Sequence, residues 1–159
     1  MKVEDIMTGD VITCSPGDKI VDIVRLMSEK DISGVPVVEG TKVVGIVTEG
    51  DIIRLLAVPE RSTTLWLPSP LEVMLEIPFK ELMQLRDLQK SYTDVGQKPV
   101  MGIMNRDVRT TTPDTDIEDA ARIMAKYRIN RLPVVKDGTL VGIITRDDII
   151  HGLGGSGNK

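Results

Sequence analysis

An internal repeat limits the folds open to this chain of 159 residues more than any other feature. Residues 3–56 align without a gap to residues 100–153, so that Gly45, for example, matches Gly142, 97 positions later. Of the 54 aligned positions 23 are identical, whereas unrelated sequences of ordinary composition match at roughly one position in fifteen. A structural unit is therefore duplicated. Two copies are too few for a solenoid, so we expect a pseudo-twofold pair that shares one interface.

Both copies predict the same order of elements: strand, helix, strand, strand, helix. An extended stretch, DVITCSP or DVRTTTP, ends at a proline (Pro16 or Pro113) that is expected to open a helix with apolar residues at helical spacing. The β-branched runs VPVV and LPVV predict one strand, and VVGIVT and LVGIIT predict the next. We therefore predict an α/β (α+β) fold, in which two β-α-β-β-α repeats pack through their sheets and an inserted, partly helical segment separates them.

Four segments follow from this alignment: residues 1–56 form the first repeat, 57–99 an insert, 100–153 the second repeat, and 154–159 a flexible tail. Within the insert, residues 78–90 have the apolar spacing of an amphipathic helix. Its apolar face has two interpretations. It either packs on the body of the same chain or contacts a second chain or a partner protein.

Composition and charge exclude several functions. The formal net charge of -4 and an aromatic content of 3% argue against nucleic-acid binding, which needs basic patches and stacking surfaces. The single cysteine, Cys14, excludes an internal disulfide and indicates a cytoplasmic setting. The N-terminal MKVEDIMTGD lacks the apolar core of a signal peptide, and apolar runs are too short to span a bilayer, so we expect no membrane association.

Catalytic signatures are missing from the sequence. A single histidine, His151, and a single cysteine offer no nucleophile–base pair at a recognisable spacing. The phosphate-binding pattern GxxxxGK[ST], the dinucleotide pattern GxGxxG and zinc-ligand spacings are also missing. We therefore predict that the protein is not an enzyme, has no catalytic residues, needs no obligatory cofactor and holds no metal.

The end of each repeat carries a Thr-x-x-Asp motif, formed by Thr48 with Asp51 and by Thr145 with Asp148. One interpretation is a capping box, in which the two residues satisfy free backbone N–H groups at a helix start. The other is a binding site, because a carboxylate can accept hydrogen bonds from both ribose hydroxyls and a helix start attracts phosphate. In that interpretation Gly45 and Gly142 would allow a ligand to approach the backbone. The two interpretations remain open.

Taken together, IMT near the start, T-x-x-P, h-P-V-V and G-h-h-T-x-x-D (h, apolar) resemble the cystathionine-β-synthase (CBS) domain. Two such domains in tandem resemble a Bateman module, and the resemblance covers residues 3–56 and 100–153. It implies a regulatory module that binds AMP, ADP, ATP or an S-adenosylmethionine-like ligand in clefts between the repeats and signals to an effector protein. It also implies a homodimer. The alternative is a structural interaction module that acts through residues 57–99 without a nucleotide.

The resemblance implies two composite clefts, each joining T-x-x-P and h-P-V-V of one repeat to Thr-x-x-Asp of the other. The first would hold Thr110, Thr112, Asn130, Arg131, Leu132 and Pro133 with Thr48 and Asp51. The second would hold Ile12, Thr13, Ser15, Ser33, Gly34, Val35 and Pro36 with Thr145, Arg146 and Asp148.

Within these clefts, Ile12, Val35 and Leu132 would wall the adenine, while Arg131 and Arg146 would bind phosphate or else bridge to surface carboxylates. The first cleft, where Asp51 is expected to face Arg131 and Asn130, is the better candidate for a phosphorylated nucleotide.

Overall fold

The computed structural model describes residues 1–57 and 95–155. The helix predicted at 78–90 lies outside these residues. The helices are α1 (Val3–Ile6), α2 (Ile20–Lys30), α3 (Glu49–Leu56), α4 (Ile117–Tyr127) and α5 (Arg146–Gly155). The strands are β1 (Gly34–Glu39), β2 (Lys42–Thr48), β3 (Arg131–Lys136) and β4 (Thr139–Thr145). A short 3₁₀ helix spans Val100–Gly102. Helix α5 continues two residues past the predicted end of the second repeat.

Each repeat builds one antiparallel hairpin, which confirms the predicted α+β architecture. Strand β1 pairs with β2 and β3 pairs with β4, and both pairs have a register shift at the same place, after Val37 and after Val134. The tight turns place Gly40 and Gly138 at φ angles of 62° and 78°, a left-handed conformation that glycine adopts without steric cost. The repeated sequence therefore folds into the same local structure twice.

The extended stretch that opens each predicted unit joins the edge of the hairpin in its own repeat. The N–H of Cys14 donates to the carbonyl of Pro36 at 3.0 Å, and Thr111 bonds in the same way to Pro133. Helices α2 and α4 begin at Ile20 and Ile117. The expectation that Pro16 and Pro113 open these helices is wrong, because both prolines lie four positions earlier, where turns precede the helices.

The residues that precede these stretches cross over to the other repeat. Thr8 exchanges two backbone hydrogen bonds of 2.9 Å with Ile143 on β4. Asn105 pairs with Ile46 on β2 in the equivalent way, at 3.0 and 2.9 Å. Each hairpin is therefore extended by a segment that belongs, by sequence, to the opposite copy.

Two hydrophobic cores follow from this exchange. The first lies between α2, α3 and the first hairpin, and it includes Val100 and Met104 from the start of the second repeat. The second lies between α4, α5 and the second hairpin, and it includes Val3 from α1. Because each core needs residues from both repeats, the two units are interlocked. Among the described residues no helix is long and apolar enough to cross a membrane.

Candidate functional site

The predicted site segments of each repeat meet at one end of its hairpin. Gly34, at the start of β1, pairs with Thr48 at the end of β2, and Arg131 pairs with Thr145. The N–H of Glu49 donates to the carbonyl of Ser33, and the N–H of Arg146 to the carbonyl of Asn130, both at 3.0 Å. Each closing helix therefore begins against the loop that leads into its own first strand. From here on, the first cleft means residues 33–36 with 48–51 and the second cleft means residues 130–133 with 145–148, a grouping within one repeat that differs from the predicted composite clefts.

These two clefts group segments within one repeat, whereas the composite clefts, which join segments of both repeats, remain a prediction. The h-P-V-V and Thr-x-x-Asp segments come together within a repeat, because they are neighbouring strands of one hairpin. Five residues predicted to bind a ligand lie in the extended stretches beside the hairpins and are exposed or partly exposed: Ile12, Thr13, Ser15, Thr110 and Thr112. Val35 and Leu132, expected as walls for adenine, are 0% exposed and pack in the two cores. Their side chains are therefore not available to a ligand.

Both Thr-x-x-Asp motifs form capping boxes. Asp51 Oδ2 accepts from the N–H of Thr48 at 2.8 Å, and Asp148 Oδ2 accepts from the N–H of Thr145 at 2.7 Å. In return, each Thr Oγ1 accepts from the N–H of its Asp, at 3.4 and 3.2 Å. The capping interpretation is therefore confirmed. It occupies one oxygen of each carboxylate and leaves the other for a different partner.

The second carboxylate oxygens differ between the repeats. Asp51 Oδ1 accepts from Arg54 Nη2 at 2.5 Å. The residue equivalent to Arg54 is His151, whose Nδ1 donates to the carbonyl of Asp147 at 2.8 Å instead. Within residues 1–57 and 95–155, Asp148 Oδ1 has no hydrogen-bond partner. The expected pairing of Asp51 with Arg131 and Asn130 is wrong, because groups within three residues of Asp51 use both of its oxygens.

Arg131 is the side chain that crosses between the clefts. Its Nη2 donates to Ser33 Oγ at 2.6 Å, and its guanidinium covers Gly34 so closely that a Cβ there would collide with Nη1. Burial lowers the pKa of the Arg131 guanidinium, and the negative charge of Glu49 acts in the opposite direction. Arg131, which was predicted to share a cleft with Thr48 and Asp51, therefore reaches across from the second repeat to Ser33 and Gly34 of the first cleft.

Arg146 occupies the position equivalent to Glu49 and is exposed. Its Nη1 donates to Asn130 Oδ1 at 3.2 Å, which is a longer and more accessible bond than that of Arg131. The predicted bridge from Arg146 to a surface carboxylate is replaced by this bond to an amide. The guanidinium of Arg146 therefore places a positive charge at the edge of the second cleft, where one long hydrogen bond holds it.

Gly45 and Gly142 do not open a path for a ligand. A Cβ at Gly45 would lie 2.5 Å from the sulfur of Met104, and a Cβ at Gly142 would lie 2.5 Å from the sulfur of Met7. A methionine of the opposite repeat packs directly against each glycine and fills the space that the missing side chain leaves. The sequence contained a signal for this, since Met7 and Met104 are also equivalent positions of the repeat.

A metal role finds no support in the part of the chain that the structure describes, where His, Cys, Asp and Glu form no group of three able to hold an ion.

Comparison with known proteins agrees with this geometry. The family model described as the CBS domain matches residues 3–58 and 100–155. The protein MJ1426 of Methanocaldococcus jannaschii is 37% identical over 155 residues, covering 96% of this chain and 91% of that protein. An inosine-5'-monophosphate dehydrogenase of Korarchaeum cryptofilum is 31% identical over 151 residues, but the match covers 94% of this chain and only 24% of that enzyme.

Solved structures show the same fold. CBSX2 in complex with AMP has a TM-score of 0.71 and 25% identity, covering 99% of this chain and 98% of that one. The CBS domain pair of protein MJ0100, in complex with 5-methylthioadenosine and S-adenosyl-L-methionine, has a TM-score of 0.69 and 25% identity, covering 98% of both chains.

Proposed function

The chain belongs to the CBS domain family, and from that premise we propose that it is a regulatory module that binds an adenosine-containing ligand and signals to a partner protein. Two CBS-pair structures that match it along nearly its whole length contain adenosine compounds: AMP in one, and 5-methylthioadenosine with S-adenosyl-L-methionine in the other. Ligand binding and the transfer of a signal are proposals for this chain.

The observation that carries the proposal is Asp148 Oδ1 at the start of α5, which has no hydrogen-bond partner within residues 1–57 and 95–155. A ribose presents two neighbouring hydroxyl groups, and a carboxylate oxygen that is already oriented by its capping box accepts from them without rearrangement. Beside it, the α5 N-terminus and the Arg146 guanidinium attract an anion. Ribose and phosphate are thus recognised within one cleft, while backbone groups at the starts of β1 and β3 offer hydrogen bonds to a base.

The signal would travel through the contact between the repeats. Arg131 ties the second repeat to Ser33 of the first, and each hairpin is extended by the other copy's opening segment. A ligand that binds more tightly to one relative placement of the repeats shifts the molecule toward that placement. We therefore infer that a partner protein reads the relative position of the repeats.

A catalytic role is not part of this proposal. The region shared with the Korarchaeum dehydrogenase is about a quarter of that enzyme, so the likeness supports a CBS pair and lends no support to a dehydrogenase activity. We propose a non-enzymatic protein without an obligatory cofactor. We place it in the cytoplasm, where its single cysteine would remain reduced.

We also propose that the chain forms a homodimer. Helix α3 exposes Ile53 (63%) and Leu56 (39%), and α5 exposes the equivalent Ile150 (67%) and Leu153 (52%). In each helix the two residues are three positions apart and therefore lie on one face. A second copy of the chain presents the same two apolar faces, so a twofold contact can cover all of them.

Thermal unfolding with and without ligand tests the binding proposal. We expect AMP, ADP, ATP, S-adenosylmethionine or 5-methylthioadenosine at millimolar concentration to raise the Tm, because a ligand that binds only the folded state stabilises it. Guanosine monophosphate serves as the matched control and should raise the Tm less. If no adenosine compound changes the Tm, the proposed function is wrong, and the structural interaction role becomes the better account.

A further inference from the structure

The two clefts differ in how far the protein's own side chains already occupy them. In the first cleft, Arg54 binds the Asp51 oxygen that the capping box leaves over. In the second cleft the equivalent side chain, His151, turns to the backbone of Asp147, and Asp148 Oδ1 keeps no partner among the described residues. The same carboxylate is thus engaged in one repeat and available in the other.

A second observation, independent of the first, concerns the strand starts. Arg131 lies over Gly34 in the first cleft and bonds to Ser33 at 2.6 Å. In the first repeat, the position equivalent to Arg131 is Gly34, which has no side chain that could reach Asn130 in the second repeat. The cover of the first cleft therefore has no counterpart in the second cleft.

The two arginines near the starts of α3 and α5, Arg131 and Arg146, also differ in how firmly the surrounding protein holds them. Arg131 is partly buried, donates to Ser33 Oγ at 2.6 Å and is attracted by the negative charge of Glu49. Arg146 is exposed, and a single bond of 3.2 Å to Asn130 holds it. An incoming phosphate can recruit Arg146 by replacing one weak bond, whereas it must disrupt two interactions to recruit Arg131.

We infer, on the basis of the proposed function, that the clefts are unequal: the second cleft is the high-affinity site for a phosphorylated adenosine, and Arg54 and Arg131 close the first. Asp148 Oδ1 accepts hydrogen bonds from the ribose hydroxyls, and Arg146 with the α5 N-terminus receives the phosphate. The chain therefore takes up one tightly bound AMP, although its repeated sequence supplies two sets of binding residues.

Isothermal titration with AMP tests the inequality, because it measures stoichiometry and affinity together. We expect one AMP per wild-type chain. Asp148→Asn and Asp51→Asn are the matched pair, since an asparagine oxygen can still accept from the threonine N–H and preserve each cap. We expect Asp148→Asn to weaken AMP binding by about tenfold more than Asp51→Asn does, as loss of a charge-assisted bond predicts. Thermal unfolding without ligand checks that both variants are folded.

A second experiment opens the first cleft. The triple variant Glu49→Arg, Arg54→His and Arg131→Gly gives the first cleft the counterparts of Arg146, His151 and Gly34, and we expect the stoichiometry to rise from one AMP to two. Two equal sites in the wild type, a larger loss in Asp51→Asn, or a triple variant that still takes one AMP would each overturn the inequality while leaving the binding function intact. If AMP and the other adenosine compounds fail to bind the wild type at all, the proposed function itself fails.

Discussion

Cys14 and Thr111 occupy equivalent positions in the two repeats, but the first buries a thiol and the second buries a hydroxyl group. Thr111 is 5% exposed, and its Oγ1 is the buried side-chain atom without a hydrogen-bond partner among the described residues. Cys14 is equally buried, but a thiol loses little by leaving water. The second core therefore contains a hydroxyl whose desolvation nothing offsets.

Replacing that hydroxyl should stabilise the protein. Thr111→Val keeps the shape of the side chain and removes the unpaired group, so we expect the free energy of unfolding to rise by about 1 kcal/mol in urea titrations. Thr112→Val is the control, because the Thr112 hydroxyl is exposed and bonds to Asp114 and Thr115. An equal gain in both variants would show that burial of the hydroxyl is not the cause.

Cys14 should be unreactive in the native protein. Burial raises the pKa of its thiol to about 12, with a smaller contribution from the charge of Asp18, so the thiolate is scarce at neutral pH. We expect Ellman's reagent to label Cys14 at pH 8 only after unfolding in urea. Rapid labelling of the folded protein would contradict the buried placement.

The same shift gives a pH dependence of stability. The thiol has an ordinary pKa of 9.0 and a folded value of about 12, so the unfolded chain releases this proton first. The contribution of Cys14 to stability is therefore complete below pH 9 and is lost as the pH rises toward 12. Unfolding titrations of Cys14→Val, which lacks the proton, should show a smaller loss over that range.

At the scale of elements, the exchange of opening segments can be tested at the glycine–methionine contacts. Gly45→Ala would place a methyl group against Met104, and we expect a loss of roughly 1–3 kcal/mol in unfolding free energy. Gly17→Ala is the control, because a Cβ there has no atom within 4 Å.

A double-mutant cycle adds the specific readout. If Met104 is the obstacle, combining Gly45→Ala with Met104→Ala should cost less than the sum of the two single losses. Additive losses would indicate that the two residues do not touch.

These elements also show what sequence can and cannot predict. The hairpin strands and the capping interpretation of Thr-x-x-Asp were accessible from sequence because they depend on residues close together in the chain, such as Thr48 and Asp51. The contacts of Met104 with Gly45 and of Arg131 with Ser33 join distant residues, and apolar periodicity does not say which repeat a segment will complete. The predicted composite clefts depend on contacts of this kind: the neighbouring backbone segments of each cleft belong to one repeat, and Arg131 reaches the first cleft from the other repeat.

At the scale of the whole molecule, the interlocked cores should make the two repeats unfold together. Each core contains residues from the opposite copy, so loss of either core removes support from the other. We expect one unfolding transition, with the same midpoint by circular dichroism and by hydrogen exchange in both hairpins. Different midpoints for the two hairpins would contradict the interlocking of the two cores.

The proposed homodimer is the remaining prediction at this scale. If the apolar faces of α3 and α5 meet a second chain, placing charges there should separate the chains without disturbing either core, because Ile53 and Ile150 are mostly exposed within one chain. We expect the wild type to have twice the mass of a single chain by light scattering, and Ile53→Glu with Ile150→Glu to have the mass of one chain.

Met101→Glu, which changes an exposed apolar residue (42%) outside α3 and α5, should remain a dimer. A wild type that is monomeric at high concentration, or a double variant that stays dimeric, would place the contact elsewhere or remove it. Since both faces are repeated within the chain, each single variant should weaken the dimer by a similar factor, and the double variant by about the product of the two.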